Sequence, residues 1–148
     1  MQQKGGLELI DPSDNLAKGY ILKAEESLEA LQKLKGNRDW TVSTAYYSMY
    51  FSLYSILMKT GVKCEIHACT IAFMKRFLAA YFTPAESKFL SQSLQARIDT
   101  QYYVDREVKD EFIGEMVKSA PQFLAKCKDI LSKIKESEIK AIRRQLGS

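Results

Sequence analysis

Eighteen consecutive residues without a charge, Thr41 to Met58, lie near the middle of the first half of the chain. The apolar side chains of this stretch cover nearly every face of a helix, and a helix of that kind is buried on most sides. The stretch is close to the length that crosses a bilayer. However, it holds six Ser or Thr residues and four Tyr residues, and Tyr prefers the membrane interface to the middle of the lipid. We therefore expect a buried core helix and no membrane span.

The remaining sequence predicts four further helices around this one. Apolar residues recur at spacings of three and four, and no stretch alternates as a half-buried strand does. The expected class is all-α, an up-and-down bundle of about five helices in one domain over residues 1–148. A loose lead-in is expected at 1–12 and a frayed basic tail at 138–148. The expected helices are 13–36, 39–59, 66–82, 84–101 and a last one that starts after Tyr103 and reaches about Ile134.

Local signals predict where these helices begin and end. Ser13 and Asp39 offer capping oxygens for the first two helices, and Gly61 is a typical stop for the second. The run Thr83-Pro84-Ala85-Glu86 combines a capping box with proline at the first helical position. Pro121 interrupts the last apolar stripe without shifting its phase, which predicts a kink in a continuous helix.

Bulk properties limit the kind of protein. The net charge of +4 is compatible with an acidic partner such as RNA but does not require one. The three cysteines contain no CxxC pair, which argues against a zinc knuckle or a secreted disulfide scaffold. The first residues lack the apolar core of a signal peptide, so we expect a cytoplasmic protein.

Two stripes follow the second helix. We interpret the small hydroxyl residues as a seam where another helix approaches closely, and the tyrosines as core residues whose hydroxyls reach the surface. The seam consists of Thr41, Thr44, Ser48, Ser52 and Ser55, and the tyrosines are Tyr46, Tyr50 and Tyr54.

The inventory of chemical groups excludes most catalytic templates. The chain has no glycine-rich phosphate loop and no HExxH, and His67 is its single histidine. We expect no metal and no cofactor. We expect His67 to be a structural hydrogen-bonding residue. The alternative is that it pairs with Cys64 or Cys69. The acidic residues around the last loop are interpreted as helix-capping groups; they are Asp99, Asp105, Glu107, Asp110 and Glu111.

Arg97 is the residue with the clearest binding potential. It lies near the end of the fourth predicted helix, next to a segment rich in phenols and acids. A guanidinium in such a place can bind a phosphate with two parallel hydrogen bonds. The alternative is an ion pair with Asp99, Asp105 or Glu111, and the sequence leaves both open.

Three short motifs resemble those of the small stand-alone HEPN proteins. Ala45-Tyr46-Tyr47-Ser48-Met49-Tyr50 resembles the AYYAMF-like signature of their second helix. Ile66-His67 looks like their Thr-His at the start of helix three, and the segment from Arg97 to Tyr102 is similar to their R-x4-Y ending. Helix order and lengths agree, so that the resemblance covers about residues 13–137.

The resemblance implies a bundle that dimerises through its middle helices, with the arginine motifs of both subunits at one cleft. Thr44, Tyr47, Ser48 and Phe51 would then lie at the dimer interface. Many HEPN proteins are metal-independent ribonucleases whose motif is an arginine, four to six residues and a histidine. Others pair with a minimal nucleotidyltransferase in toxin–antitoxin modules, which makes that enzyme an expected partner.

This chain departs from the ribonuclease motif, because Tyr102, Tyr103 and Val104 occupy the window where the histidine belongs. The unperturbed pKa of tyrosine is about 10, which is poorly suited to acid–base catalysis near neutral pH. We therefore expect a homodimer that binds RNA or a nucleotide, or that docks a nucleotidyltransferase, through Arg97, Asp99, Tyr102 and Tyr103. The alternatives are an active ribonuclease toxin using Arg97 with Tyr102 or His67, and a purely structural interaction protein.

Overall fold

The computed structural model describes residues 6–147, which form six helices and one small antiparallel sheet. The strands are β1 (Leu7–Leu9) and β2 (Val62–Cys64), paired with Leu7 opposite Cys64 and Leu9 opposite Val62. The all-α prediction is confirmed. In chain order the helices are α1 (Asp14–Leu31), α2 (Arg38–Thr60), α3 (His67–Phe77), α4 (Pro84–Tyr102), α5 (Asp110–Lys133) and α6 (Glu136–Gly147).

Helix α2 is the centre of the bundle, as its uncharged sequence predicts. It packs against α1, α4 and α5. Most of its side chains are buried, and those of Val42, Leu53 and Leu57 are fully so. Because neighbours cover it on several sides, an apolar side chain contributes at almost any position around the helix, at about 25 cal/mol for each Å² removed from water.

Most of the predicted capping signals are confirmed, but α1 ends at Leu31 and not near Gly36. The Ser13 side chain caps α1 by accepting from Leu16, and Gly61 ends α2 in the left-handed conformation with φ of 77°. Thr83 and Glu86 form the expected reciprocal capping box at the start of α4. Helix α2 is capped by Asn37 and not by Asp39, because Asn37 lies three residues before the Trp40 amide that its side chain accepts from.

The structure corrects the predictions for both ends of the chain. The part of the predicted loose lead-in that is described contains β1, which pairs with β2, so the expectation that no strand exists is wrong; residues 1–5 lie outside the described residues. The predicted frayed tail is helix α6, which buries Ile139 and Ile142. The predicted third helix is also too long, since α3 ends at Phe77.

Arg143 connects helix α6 to the segment after β1 and to the end of α2. Arg143 of α6 donates hydrogen bonds from Nη1 to the carbonyl oxygens of Ile10 (2.8 Å), Thr60 (3.2 Å) and Gly61 (2.8 Å). Those carbonyls come from the segment after β1 and from the end of α2, where helix carbonyls lack partners within the helix. The tail is therefore held in place by a charged hydrogen-bond donor as well as by its two isoleucines.

The hydroxyl stripe of α2 packs inside the chain for most of its length. Ser48, Ser52 and Ser55 are fully buried, and the Ser48 hydroxyl donates to the carbonyl of Ala24 on α1 at 3.5 Å. The predicted close approach of another helix is therefore confirmed, with α1 as the neighbour. Ser48 was predicted at the dimer interface, but its own chain already covers it, so it cannot contact a second subunit.

The last long helix continues through proline as predicted. Helix α5 runs from Asp110 to Lys133 with Pro121 inside it. Across residues 6–147, none of the helices is both long enough and apolar enough to cross a membrane.

Candidate functional site

The guanidinium of Arg97 lies in the interior of the bundle. The residue is only 9% exposed, and it reaches from α4 towards α2, where its Nη1 donates a short hydrogen bond of 2.5 Å to the hydroxyl of Tyr47. Its guanidinium carbon lies 5.2 Å from the centre of the Tyr47 ring and 5.7 Å from that of Tyr46. These two rings attract the cation through their π faces.

Arg97 is paired with phenols and not with a carboxylate, so the alternative of an ion pair with an acidic neighbour is wrong. Its Nε is buried and has no hydrogen-bond partner, the sole such side-chain atom among residues 6–147. A buried donor without a partner costs about 1–3 kcal/mol, and more for a charged group. The site therefore contains a desolvated positive charge that its own chain does not neutralise.

His67 is the first residue of α3 and lies against the same tyrosines. Its Nδ1 is hydrogen-bonded to the Tyr46 hydroxyl at 2.8 Å. Its ring stacks on that of Tyr50, with centroids 4.0 Å apart and planes inclined by 7°. The ring is half-buried, and with Nδ1 engaged by Tyr46, Nε2 is the nitrogen that remains for a ligand.

The fold thus brings His67 and Arg97 together, which the sequence alone could not show. The His67 ring centre lies 5.7 Å from that of Tyr46 and 5.9 Å from that of Tyr47, the two rings that also contact Arg97. Burial lowers the pKa of His67, and the positive charge of Arg97 lowers that pKa further. His67 is consequently neutral near pH 7.

The backbone adds a second positive contribution at His67. Helix α3 begins after Ile66 with no side-chain hydrogen bond capping it. The first amides of a helix have no partner within the helix, and together they carry about half a positive charge. This end of the helix and the Arg97 guanidinium make a local environment suited to an anion such as a phosphate.

The other predicted binding residues lie apart from this centre. Asp99 accepts hydrogen bonds from Arg106 at 3.1 Å and Gln95 at 2.9 Å. The guanidinium of Arg106 stacks over the Tyr103 ring at 3.5 Å. Tyr102 is 64% exposed at the end of α4. Asp99 and Tyr103 therefore form a surface cluster with Arg106, while Arg97 points into the bundle.

The hydroxyls of Tyr46, Tyr50 and Tyr54 on α2 were predicted to reach the surface, and this prediction is wrong. They bond inside the protein: Tyr46 to His67, Tyr50 to Thr70 at 3.0 Å, and Tyr54 to the Cys64 amide at 3.1 Å. Burial raises the pKa of Tyr46 and of Tyr50 above the ordinary value. Both phenols stay protonated at physiological pH and act as hydrogen-bonding groups.

The alternative pairing of His67 with a cysteine does not form. His67 bonds to Tyr46, and the two nearby thiols contact each other. Within the described range 6–147, no three residues among the histidine, cysteines and carboxylates converge as a metal site would require.

A shallow groove of about 410 Å³ lies between α1 and α2 beside Tyr47. Its lining includes Thr44, Tyr47 and Phe51, three of the residues predicted at the dimer interface, together with Lys23. The Tyr47 and Phe51 rings stack at 5.5 Å, and the Lys23 ammonium lies 5.2 Å above the Phe51 ring. Tyr47 therefore links this outer groove to the buried guanidinium.

The sequence does not identify the tyrosines as site residues. Tyr46 and Tyr50 are expected in the core and Tyr47 at an interface, and the structure shows that these three residues also form the wall that connects Arg97 to His67. The available signal was their spacing: Tyr46 and Tyr50 are four residues apart and lie on one face of α2. Nothing local indicates that α3 and α4 place their polar residues against that face.

The fold and the site define an all-α bundle in which one buried arginine and one histidine meet against a tyrosine wall. The HEPN domain profile matches residues 17–130, and the chain therefore belongs to the HEPN-domain family. It is also similar to a Methanocaldococcus jannaschii protein named "Putative toxin MJ0142", with 28% identity over 115 residues that span 75% of this chain and 78% of that protein.

The lowered pKa of His67 predicts a pH dependence of stability. Between the ordinary pKa of about 6.5 and the lower folded-state pKa, the unfolded chain binds a proton that the folded chain does not, so the free energy of unfolding falls as the pH falls. The slope from one group is at most about 1.4 kcal/mol per pH unit. Urea unfolding of the wild type and of His67→Gln at pH 7.5 and 5.5 measures it.

His67 is the single histidine, so the difference between the two proteins isolates its contribution. We expect the wild type to lose more stability than His67→Gln between these pH values. Equal losses would mean that the folded chain protonates His67 as readily as the unfolded chain does.

Proposed function

We propose that this protein is a toxin-like HEPN protein that binds RNA through a phosphate placed at Arg97. The single observation that carries the proposal is the buried Nε of Arg97, which has no hydrogen-bond partner although Nη1 of the same guanidinium bonds to the Tyr47 hydroxyl. A phosphate oxygen would supply the missing acceptor and neutralise the buried charge. Membership of the HEPN family supports RNA over other phosphate ligands, and the name of the Methanocaldococcus jannaschii relative supports a toxin-like role.

We further propose that the functional unit is a homodimer and that a minimal nucleotidyltransferase is its partner. The groove lined by Thr44, Tyr47 and Phe51 supports the dimer, because it leaves two stacked rings half-covered. The partner rests on the family resemblance of the motifs. Asp99, Tyr102 and Tyr103, on the surface at the end of α4, are proposed as outer contacts for the RNA strand, where exposed phenols can stack on bases.

A second candidate function is metal-independent cleavage of RNA, and the position of His67 favours it. In the tautomer whose Nδ1–H donates to Tyr46, Nε2 carries the lone pair that a general base needs to activate a ribose 2′-hydroxyl. Arg97 would stabilise the charge that develops on the phosphate. His67 would then take the place of the histidine missing after Arg97, whereas Tyr102 is a weaker candidate because it is exposed and apart from both.

One experiment separates binding from cleavage. Light scattering first gives the oligomeric state of the purified chain. The chain is then titrated into fluorescent single-stranded RNA in EDTA to measure binding, and the mixture is incubated to detect cleavage. The proposed binding function predicts saturable binding. The second function additionally predicts cut RNA with a 2′,3′-cyclic phosphate, and His67→Gln would abolish the cleavage while leaving binding within about threefold.

Bound and intact RNA would leave a binding module and remove the ribonuclease candidate. No binding to RNA at low salt would contradict the proposed function itself.

A further inference from the structure

Two cysteines meet beside the candidate site but belong to neither of its proposed functions. Cys64 is the last residue of β2, and Cys69 lies in the first turn of α3. Their Sγ atoms are 3.0 Å apart. The third cysteine, Cys127, is buried in α5. The contact therefore singles out one pair among the three thiols.

The two thiols differ in accessibility. Cys69 is half-buried, while Cys64 is almost fully buried. Burial raises the pKa of the Cys64 thiol, and the neighbouring Cys69 raises that pKa further. A reagent from solvent therefore reaches Cys69 first, and Cys64 is placed behind it as the second sulfur.

We propose that Cys64 and Cys69 form an oxidation site for hydroperoxides that ends in a disulfide bond. The Cys69 sulfur attacks one peroxide oxygen, the O–O bond breaks, and sulfenic acid and water form, with hydrogen peroxide as the oxidant. The Cys64 sulfur then attacks the Cys69 sulfur, and the departing hydroxyl leaves as a second water after taking up the Cys64 proton. Two electrons pass from the two thiols to one peroxide.

The geometry favours the second step. A disulfide bond is 2.03–2.05 Å long, so the sulfurs have to approach by about 1 Å. They are attached to different elements whose relative position is set by the fold, so the reaction does not wait for a random encounter. The resulting bridge would enclose His67, which lies between the two cysteines, and would fix the start of α3 to β2.

The proposal does not depend on RNA binding, and its test needs no RNA. The full chain in EDTA is treated with equimolar hydrogen peroxide, and intact mass spectrometry follows the reaction. We expect a loss of about 2 Da, the two thiol hydrogens, that dithiothreitol reverses. Trypsin cuts after Lys63 and Lys75, so that the loss should map to the single peptide 64–75.

Matched variants assign the bond to this pair. Cys127→Ser should lose the same mass at the same rate, whereas Cys69→Ser should lose none. For each sulfenic acid formed, the folded wild type should give more disulfide and less sulfinic acid than the chain unfolded in guanidinium, because the fold holds the two sulfurs in contact.

Two results would overturn the proposal. One is a gain of about 32 Da on Cys69, which means that oxidation proceeds to the sulfinic acid without capture by Cys64. The other is a smaller share of disulfide among the oxidised products in the folded protein than in the unfolded chain, which means that the contact does not lead to capture by Cys64.

Discussion

Replacing Arg97 with methionine is expected to weaken RNA binding about 10- to 150-fold without lowering the melting temperature. The loss corresponds to one charge-assisted hydrogen bond, which contributes about 1.5–3 kcal/mol. The melting temperature should stay equal or rise, because methionine fills a similar volume and removes a buried charge whose Nε has no partner. Tyr47 is half-exposed and can turn its hydroxyl to water.

The matched control is Arg106→Met. Arg106 carries the same charge and follows Arg97 by nine residues in the sequence. Its guanidinium is exposed, however, and contacts Asp99 and Tyr103. Fluorescence anisotropy with single-stranded RNA at fixed salt compares the two variants, since each lost contact to a phosphate also changes the salt dependence. Because Arg106 contacts Asp99 and Tyr103, which are proposed as outer contacts for the RNA, we expect the control to lose some affinity but no more than about threefold, as a peripheral charge does.

Equal losses of RNA affinity in the two variants would indicate that the RNA binds at the loop after α4, as the sequence predicts. A large fall in the melting temperature of Arg97→Met would instead show that the guanidinium holds α4 against α2. Either result would contradict a phosphate site at Arg97.

The second large effect is expected in the core of α2. Leu53→Ala should lower the free energy of unfolding by about 2–5 kcal/mol, because the 0% exposed side chain leaves a cavity between helices that cannot fully collapse. For a chain of this length, the melting temperature should fall by roughly 4–20 °C. Urea unfolding followed by helical circular dichroism, at one fixed protein concentration, measures it.

Leu22→Ala on α1 serves as the control, since Leu22 is 56% exposed. It removes the same atoms from a helix and should change stability by no more than about 0.5 kcal/mol. Comparable effects of the two substitutions would mean that α2 is not the central helix. A stability loss from Leu22→Ala well above this value would indicate that a second subunit covers Leu22 in the assembled protein.

The helical architecture was predictable because its signals are local and redundant. The uncharged run of α2 and the reciprocal pair Thr83–Glu86 each depend on residues adjacent in the chain. The start of α2 was misassigned to Asp39 for the same reason: Asn37 offers an equivalent oxygen two residues earlier, and local chemistry alone does not choose between them.

The two ends were mispredicted for different physical reasons. Strand β1 has three residues, too few for an alternating pattern to be recognised. Helix α6, by contrast, did carry a signal, since Ile139, Ile142 and Leu146 follow spacings of three and four. The basic residues around them are typical of a solvated tail, although the apolar stripe is that of an amphipathic helix.

The candidate site was predictable only as separate residues. Arg97 and His67 stood out by type, but the contact between Arg97 and Tyr47 joins positions 50 residues apart. Periodicity indicates which face of a helix is apolar and not which neighbour that face meets. The expected association of Arg97 with Asp99 and Tyr103 followed closeness in sequence, and the helix instead turns these side chains in different directions.

The hydrogen bonds of Arg143 have a consequence for the order of events during synthesis. The carbonyl of Gly61 leaves the ribosome 82 residues before the arginine that binds it, a delay of roughly 4–16 s at 5–20 residues per second. Throughout that interval the junction between β1 and the end of α2 lacks this donor, so water or a chaperone has access to it. The nascent chain thus completes this corner of the bundle last.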